Sequence, residues 1–260
     1  MIPNIGHFVF FYSKRDFLFV QYIAVVSARI VNDCDVVIHY HIMPEGRFTD
    51  LLKADSRITW KHVPIIPSTV GAKEIIKIEH SVDFYKVNEL YENGGICLDL
   101  DTVCVRPWHD FLTSKFFSSI EYVDGIYYGL CCAVFMTEKH GEFMKTWKEM
   151  FENVFNPEGW GSSSVFLPGI IAQEYKDSPH CTVLNMDVFL VPHWNECEKI
   201  WKDDFDIPDV LITLHLWHTN PITKKHMEEI VNDFDWIEEN QHTLYSKIVN
   251  RLGIKSSIIK

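Results

Sequence analysis

Short apolar runs alternate with stretches of helical spacing through the first hundred residues. Ile5 to Phe11 is an apolar run of strand length, "DFLFVQYIAVVSARIVND" carries its apolar residues at a helical period, and "DVVIHYH" returns to a strand pattern. Together they predict a βαβ unit. After a polar turn at "MPEGR", the pattern predicts a short helix over 48–54 and a third strand in "RITWKHV", ended by Pro64 and Pro67. A longer helix is expected from about Lys73 to Asn93, closed by Gly94 and Gly95, which adopt the left-handed backbone that stops a helix. The segment "ICLDLD" then reads as a fourth strand.

The second half is less regular. "FFSSIEYVDGIYYGLCCAVFMT" predicts strands around an Asp124-Gly125 turn, because Asp-Gly between aromatic runs is a hairpin signal. Helices are expected over 140–155 and 164–175, a strand within "DVLITLHLW", and a long helix beginning near Lys224. Repeats are absent, and no linker rich in Gly, Pro or Ser divides the chain. The pattern predicts one α/β domain with a mostly parallel sheet flanked by helices, its C-terminal portion folding back onto the N-terminal sheet.

Composition narrows the partners. The 260 residues, 47% hydrophobic and 14% aromatic, are enough for one large core. A net charge of -12 excludes a duplex nucleic-acid partner, which needs a basic surface to displace phosphate counterions. An acidic protein that handles a phosphorylated ligand does so more readily through a metal ion. The seven cysteines form no CxxC pair, so reduced, buried thiols are expected rather than disulfides or a zinc site. "IPNIGHFVFFYSKRDF" lacks the signal-peptide pattern, and no window reaches ~18 apolar residues, so a cytoplasmic or otherwise soluble chain is expected.

Asp99 and Asp101 are the first candidates for chemistry. On an extended strand they share a face while Leu100 points the other way, with α-carbons roughly 7 Å apart, close enough to converge on one cation. Oxygen ligands suit magnesium, manganese or calcium. Strand ends are also where open α/β sheets bind ligands. The plainer alternative is that the two acids cap the next turn or pair with Arg106. Upstream, Asp83 and Lys86 fall on one helical face, as a solvent-exposed ion pair or as groups looking into the same cleft.

The segment "HSVDFYKVNELYENGGICLDLDTVCVRPW", His80 to Trp108, resembles the signature of glycosyltransferase family 32, the enzymes with a DXD sugar-binding region. That family includes initiating α-mannosyltransferases and α-1,4-linking galactosyl- and N-acetylglucosaminyltransferases, with clostridial glucosylating toxins more distant. Its usual pattern of Ser-Asp-x-x-Arg, Leu-Tyr-x-x-Gly-Gly and Asp-x-Asp appears here as Ser81-Val82-Asp83-Phe84-Tyr85-Lys86, Leu90-Tyr91, Gly94-Gly95 and Asp99-Leu100-Asp101. "IPNIGHFVFF" is similar to the family's first strand and "LHLWHT" to its late His-x-Trp segment, so the likeness covers roughly residues 2 to 220.

The resemblance implies a GT-A-type single domain with a Rossmann-like sheet and a C-terminal helical portion. Residues 1–110 would form the nucleotide-sugar half, 111–222 the half that completes the metal site and meets the acceptor, and 223–260 a helical tail. It implies a retaining transfer of a hexose or N-acetylhexosamine from a nucleotide-diphosphate sugar, UDP-linked in preference to GDP-mannose, to a glycan, lipid or protein hydroxyl. Asp101 would hold Mn2+ or Mg2+, with Asp99 bound directly or through water and ribose; His215 would complete the site, with His218 as second candidate. Asp83 would accept hydrogen bonds from sugar hydroxyls and Lys86 would hold diphosphate or sugar oxygens. His7, Phe8, Val9 and Phe10 would border the base and ribose, and Gly94, Gly95 and Trp217 would join the donor-binding residues.

Three positions depart from the family pattern. Val82 splits the Ser-Asp pair, Lys86 replaces arginine and so loses a bidentate fork, and Cys132 stands where asparagine is usual. A binding module without turnover is one alternative to a transferase. A two-carboxylate glycoside hydrolase is another, although Asp99 and Asp101 point from one side and would not flank a sugar. The last segment, Asn240 to Lys260, carries Lys247, Arg251, Lys255 and Lys260 and no acid. It could touch an anionic membrane weakly, or be a solvated helix end.

Overall fold

Four parallel strands and the helices between them form the first half. The computed structural model describes residues 1–12, 14–123, 125–178 and 181–254. Asp124 of the expected turn, and Lys255 and Lys260 of the basic tail, lie outside the described residues. In chain order, β1 (Ile5–Phe10), α1 (Phe19–Val31), β2 (Asp35–Tyr40), α2 (Arg47–Ala54) and β3 (Ile58–His62) follow the apolar periodicity closely. A two-residue ribbon, β4 (Thr69–Val70) and β5 (Lys73–Glu74), precedes α3 (Ile78–Asn93) and β6 (Gly95–Leu98).

Helix α3 therefore starts later than its periodicity suggested. Gly71, at φ +57, turns the chain between β4 and β5, and Lys73 Nζ donates to the carbonyl of Phe155 at 2.7 Å. These tertiary ties hold residues 69–74 extended.

The strand after α3 also ends earlier than expected. β6 stops at Leu98, and Asp99 to Asp101 form a turn closed by the Thr102 N–H and hydroxyl, which donate to the Asp99 carbonyl at 3.0 and 2.7 Å. β7 (Thr102–Cys104) leaves in a new direction. The alternation argument for Asp99 and Asp101 is thus corrected: a turn, not strand pleating, sets their directions.

The second half adds β8 (Phe116–Val123), β9 (Ile126–Leu130), β10 (Val134–Thr137), α4 (Glu142–Val154), α5 (Leu167–Glu174), β11 (Cys181–Leu184), α6 (Lys199–Lys202) and β12 (Thr213–His215). A π-helical turn, Ser162–Phe166, leads into α5. The main sheet has eight strands in the order β11-β8-β10-β6-β1-β2-β3, with β9 paired to β8. β3, β2, β1 and β6 are parallel, whereas β10 runs antiparallel to both β6 and β8. β12 pairs antiparallel with β7 outside this sheet.

No long helix begins at Lys224. The chain instead forms α7 (Pro221–Lys225), a π-helical turn at His226–Ile230, α8 (Phe234–Glu239) and α9 (Leu244–Arg251). Caps divide it: the Asp233 carboxylate accepts from the N–H groups of Asp235 and Trp236, and the Thr243 hydroxyl accepts from that of Ser246. These helices return to the main core, where Phe234 meets Phe19 edge-on at 5.0 Å and Tyr245 meets Trp201 at 5.1 Å. The result is a single α/β domain. All seven cysteines are free, six of them buried. Among the described residues no helix is long and apolar enough to cross a membrane.

Candidate active site

A cavity of about 580 Å³ opens where β1 and β6 end, and the antiparallel strands and the β12 loop enclose it. Its size is that of a small-molecule site, at the strand ends where α/β sheets bind ligands. Asp83, Lys86, Asp99, Asp101, His215, Trp217, Cys132 and Val9 all line it.

The turn at Asp99–Asp101 is held from two sides. The Asp99 N–H donates to the Ala133 carbonyl at 2.9 Å, tying it to the start of β10. Asp101 is gripped by the segment after β12: the Leu216 N–H donates to its carbonyl at 2.7 Å and the His218 N–H to its Oδ2 at 2.8 Å. Trp217, at φ +58, lies between those two donors; its left-handed backbone brings both N–H groups to one residue. His215 Nε2 lies 3.3 Å from Asp101 Oδ2. Asp99, Asp101 and His215 each place a ligand atom within 4.8 Å of the others.

The electrostatics follow from burial and pairing. Burial opposes the charge on Asp101, but His215 and the His218 N–H outweigh it and hold the carboxyl below its ordinary range. His215 shifts up correspondingly, since Asp101 outweighs its own burial. Burial raises Asp99 against the pull of Lys86. Lys86 is only 2% exposed, so its pair with Asp83 is not a solvent-exposed one. Its ammonium bonds Asp99, and also Asp83 at 3.3 Å, and the two acids raise it well above its ordinary value against burial. The Cys132 thiol approaches Asp83 Oδ1 at 3.6 Å, and burial keeps it protonated.

Several expected residues lie elsewhere. Phe8 and Phe10 are packed in the hydrophobic core, since strand alternation turns them away from Val9 and Phe11. His7 is buried behind the cleft, where its Nδ1 meets His39 Nε2 at 3.0 Å and His39 Nδ1 meets the Tyr85 hydroxyl at 2.9 Å. Gly94 and Gly95 do not line the cavity; both have positive φ, and a Cβ on Gly95 would sit 2.7 Å from His7 Nε2. Their role is close packing. The His218 imidazole pairs with Glu228 at 3.0 Å, so it is the backbone of His218 that serves Asp101. Arg106 pairs with Asp209 at 3.3 Å, not with the aspartates. In the tail, Lys247 is tied to Asp204 and Asp206 at 2.5 and 3.3 Å, which neutralises one of the cations expected to face a membrane.

Other cavity residues escaped the sequence reading: Phe11, Tyr12, Glu121, Tyr128, Trp160 and Trp194. Strand parity in β1 could have shown Phe11. Glu121 alternates with Ile120 along β8, and nothing in the local sequence says which face of that strand meets the cavity.

No family model matches the chain. Glucan organizing enzyme 1 of Cryptococcus neoformans var. grubii is 22% identical over 209 residues, 75% of this chain and 56% of that protein. The chain thus spans about half the length of the curated relative it matches. The apo form of glycosyltransferase GlyE from Streptococcus pneumoniae TIGR4 superposes with a TM-score of 0.53 at 13% identity, over 99% of this chain and 64% of that one. PaToxG glycosyltransferase gives a TM-score of 0.51 at 14% identity, over 68% and 70%. The chain has the GT-A glycosyltransferase fold.

Proposed function

We propose that this chain is a metal-dependent retaining glycosyltransferase that moves a hexosyl or N-acetylhexosaminyl group from a nucleotide-diphosphate sugar to an acceptor hydroxyl. One observation carries the reading: Asp99, Asp101 and His215 converge within 4.8 Å, beside the buried cation of Lys86, in a cleft of about 580 Å³ at the strand ends. The GT-A fold supports it.

The donor set fits a divalent ion. Two carboxylates and an imidazole suit manganese better than magnesium, and Asp101 is held ionised as a ligand must be. A bound cation at Asp99, Asp101 and His215 supplies Lewis-acid neutralisation of charge on the leaving diphosphate.

The protein's own groups do the rest. An ammonium has three N–H donors, and Lys86 uses two on Asp83 and Asp99, leaving one for a donor oxygen. Asp83 engages Lys86 and Cys132 through Oδ1, and its Oδ2 takes no hydrogen bond from the described residues, which suits it to a sugar hydroxyl. Val9, Phe11 and Tyr12 line the cavity from the β1 end, as an apolar border for the nucleoside. Burial holds the Cys131 and Cys132 thiols of the cavity protonated, which removes them as nucleophiles. The family resemblance implies that retention comes from a front-face displacement in which a leaving phosphate oxygen takes the acceptor hydroxyl's proton.

Thermal melting with UDP-glucose, UDP-galactose, UDP-N-acetylglucosamine and GDP-mannose, each with and without Mn2+, tests the reading. A ligand at about 100 times its Kd adds about 2.7 kcal/mol of stability, readily seen as a rise in Tm. A rise for one donor that needs the metal is expected. No rise with any of the four overturns the reading.

A further inference from the structure

Glu121 is a carboxylate of the cleft that the donor and metal do not use. It belongs to β8 and faces the cavity on the side of His215 and Tyr128. The β8–β9 ladder slips beside it: Glu121 stands opposite Gly129, whereas the next residue, Tyr122, stands opposite Tyr127. The extra residue is Tyr128 on β9, so the bulge re-aims Tyr128, which lines the cavity, while β8 runs regularly through Glu121; bulges recur next to active sites. Next to Tyr128 in the bulge, Gly129 has φ +153, and a Cβ there would lie 2.1 Å from the Val165 carbonyl oxygen. Only glycine lets the π-helical turn sit this close, and that turn brings Ser164 and Val165 to the cavity next to Trp160 and Gly161.

The Glu121 carboxylate accepts no side-chain hydrogen bond from the described residues. Burial pushes it up to about 7, with His215 pulling the other way. A partly buried carboxyl without a donor is costly, and ligand hydroxyls would offset that cost. Two indoles flank the same cleft in the open, Trp160 at 49% and Trp194 at 40% exposure. Large exposed aromatics at a cleft mark a ligand surface, and an indole face complements the C–H face of a sugar ring.

We propose that Glu121 and Trp160 recognise the acceptor and that the acceptor is itself a carbohydrate, its hydroxyls donating to the carboxylate while the indole covers one face of its ring. This rests on the glycosyl-transfer reading and narrows its open acceptor to a sugar. Glu121 is a substrate-positioning residue here and takes no proton.

The test has two arms, using the full chain and its Glu121→Gln and Trp160→Ala variants. The first measures the rise in Tm on adding Mn2+ with each of the four nucleotide sugars. The second measures transfer from the stabilising donor to the methyl α-glycosides of glucose, galactose and mannose, and to a peptide containing serine and threonine. Both variants are expected to keep the donor-induced rise while acceptor KM increases about tenfold or more, as when a site loses a hydrogen bond or a ring contact it was built to make. If no donor stabilises the wild type, the transferase reading falls and this one with it. If a donor stabilises but no methyl glycoside is glycosylated, or both variants keep the wild-type acceptor KM, or Glu121→Gln abolishes the donor's effect, the acceptor assignment alone is overturned.

Discussion

Asp101 and His215 come from the two sides of a small antiparallel ribbon and meet at one end of it, where the imidazole Nε2 rests 3.3 Å from the carboxylate Oδ2. The register of β7 with β12 sets this meeting, pairing His215 with Thr102, the residue after Asp101. Each group stabilises the charge of the other, and the His218 N–H adds a donor to the same oxygen.

Replacing Asp101 by alanine is expected to abolish metal-dependent transfer and lower Mn2+ affinity by more than about 100-fold, because a ligand is lost rather than a group that orients one. Circular dichroism should show a native fold. Wild-type transfer by this variant would sink the metal-site assignment.

Lys86 neutralises two carboxylates from a fully buried position. Lys86→Met should lose about 3 kcal/mol in urea unfolding, since removing one partner of a buried ion pair strands the other charge. Lys86→Arg restores the charge with a guanidinium, the group usual at this position in the family the segment resembles. It should recover most of that stability and bind donor at least as tightly as wild type, measured by titration calorimetry.

Gly95 has φ +112, and a Cβ there would lie 2.7 Å from His7 Nε2 and 2.8 Å from the Ile5 carbonyl oxygen. Gly95→Ala is therefore expected to cost about 2 kcal/mol or more through backbone strain and a clash with β1. An unchanged Tm would contradict the packing role given to this glycine.

Burial, aided by Lys61, lowers His7 to about 4, and burial with its neighbour His7 lowers His39 further. Both stay neutral in the folded state, while in the unfolded chain they take up protons near their ordinary value of 6.5. The unfolded state thus binds more protons between these values. Stability is full above about pH 6.5 and falls as pH drops toward 4, by on the order of 3 kcal/mol for His7 alone. Urea unfolding at pH 7.5 and pH 5 checks this; equal stability at both would contradict it.

Chelation separates the transferase from the hydrolase alternative. Adding EDTA should remove glycosyl transfer, and Mn2+ should restore it. Sugar release that persists under full chelation would favour a two-carboxylate hydrolase.

The N-terminal elements were legible because their signals are local. Apolar periods of 2 and 3.6 located β1, α1, β2 and β3, and the Gly94-Gly95 stop located the end of α3. Periodicity alone makes the C-terminal region one long helix, because Asp233 and Thr243 count there as ordinary polar positions, whereas in the fold each caps a new helix. Asp99 and Asp101 stood out by spacing, yet they converge through a turn closed by Thr102 and not through strand alternation. Helical spacing leaves Lys86 either solvent-exposed or facing the cleft, because it says which face a residue shares, not what covers that face.

By itself the sequence determined the βαβ order, the large apolar core, and the residue types able to hold a cation beside a phosphorylated donor. Local propensity and burial are properties of neighbouring residues, so they can be read from neighbours. Only the tertiary structure decided that Asp83, Asp101, Glu121 and His215 meet in one cavity. Strand order and the β7–β12 register bring these distant residues together, and each depends on pairings across the chain that no short window contains.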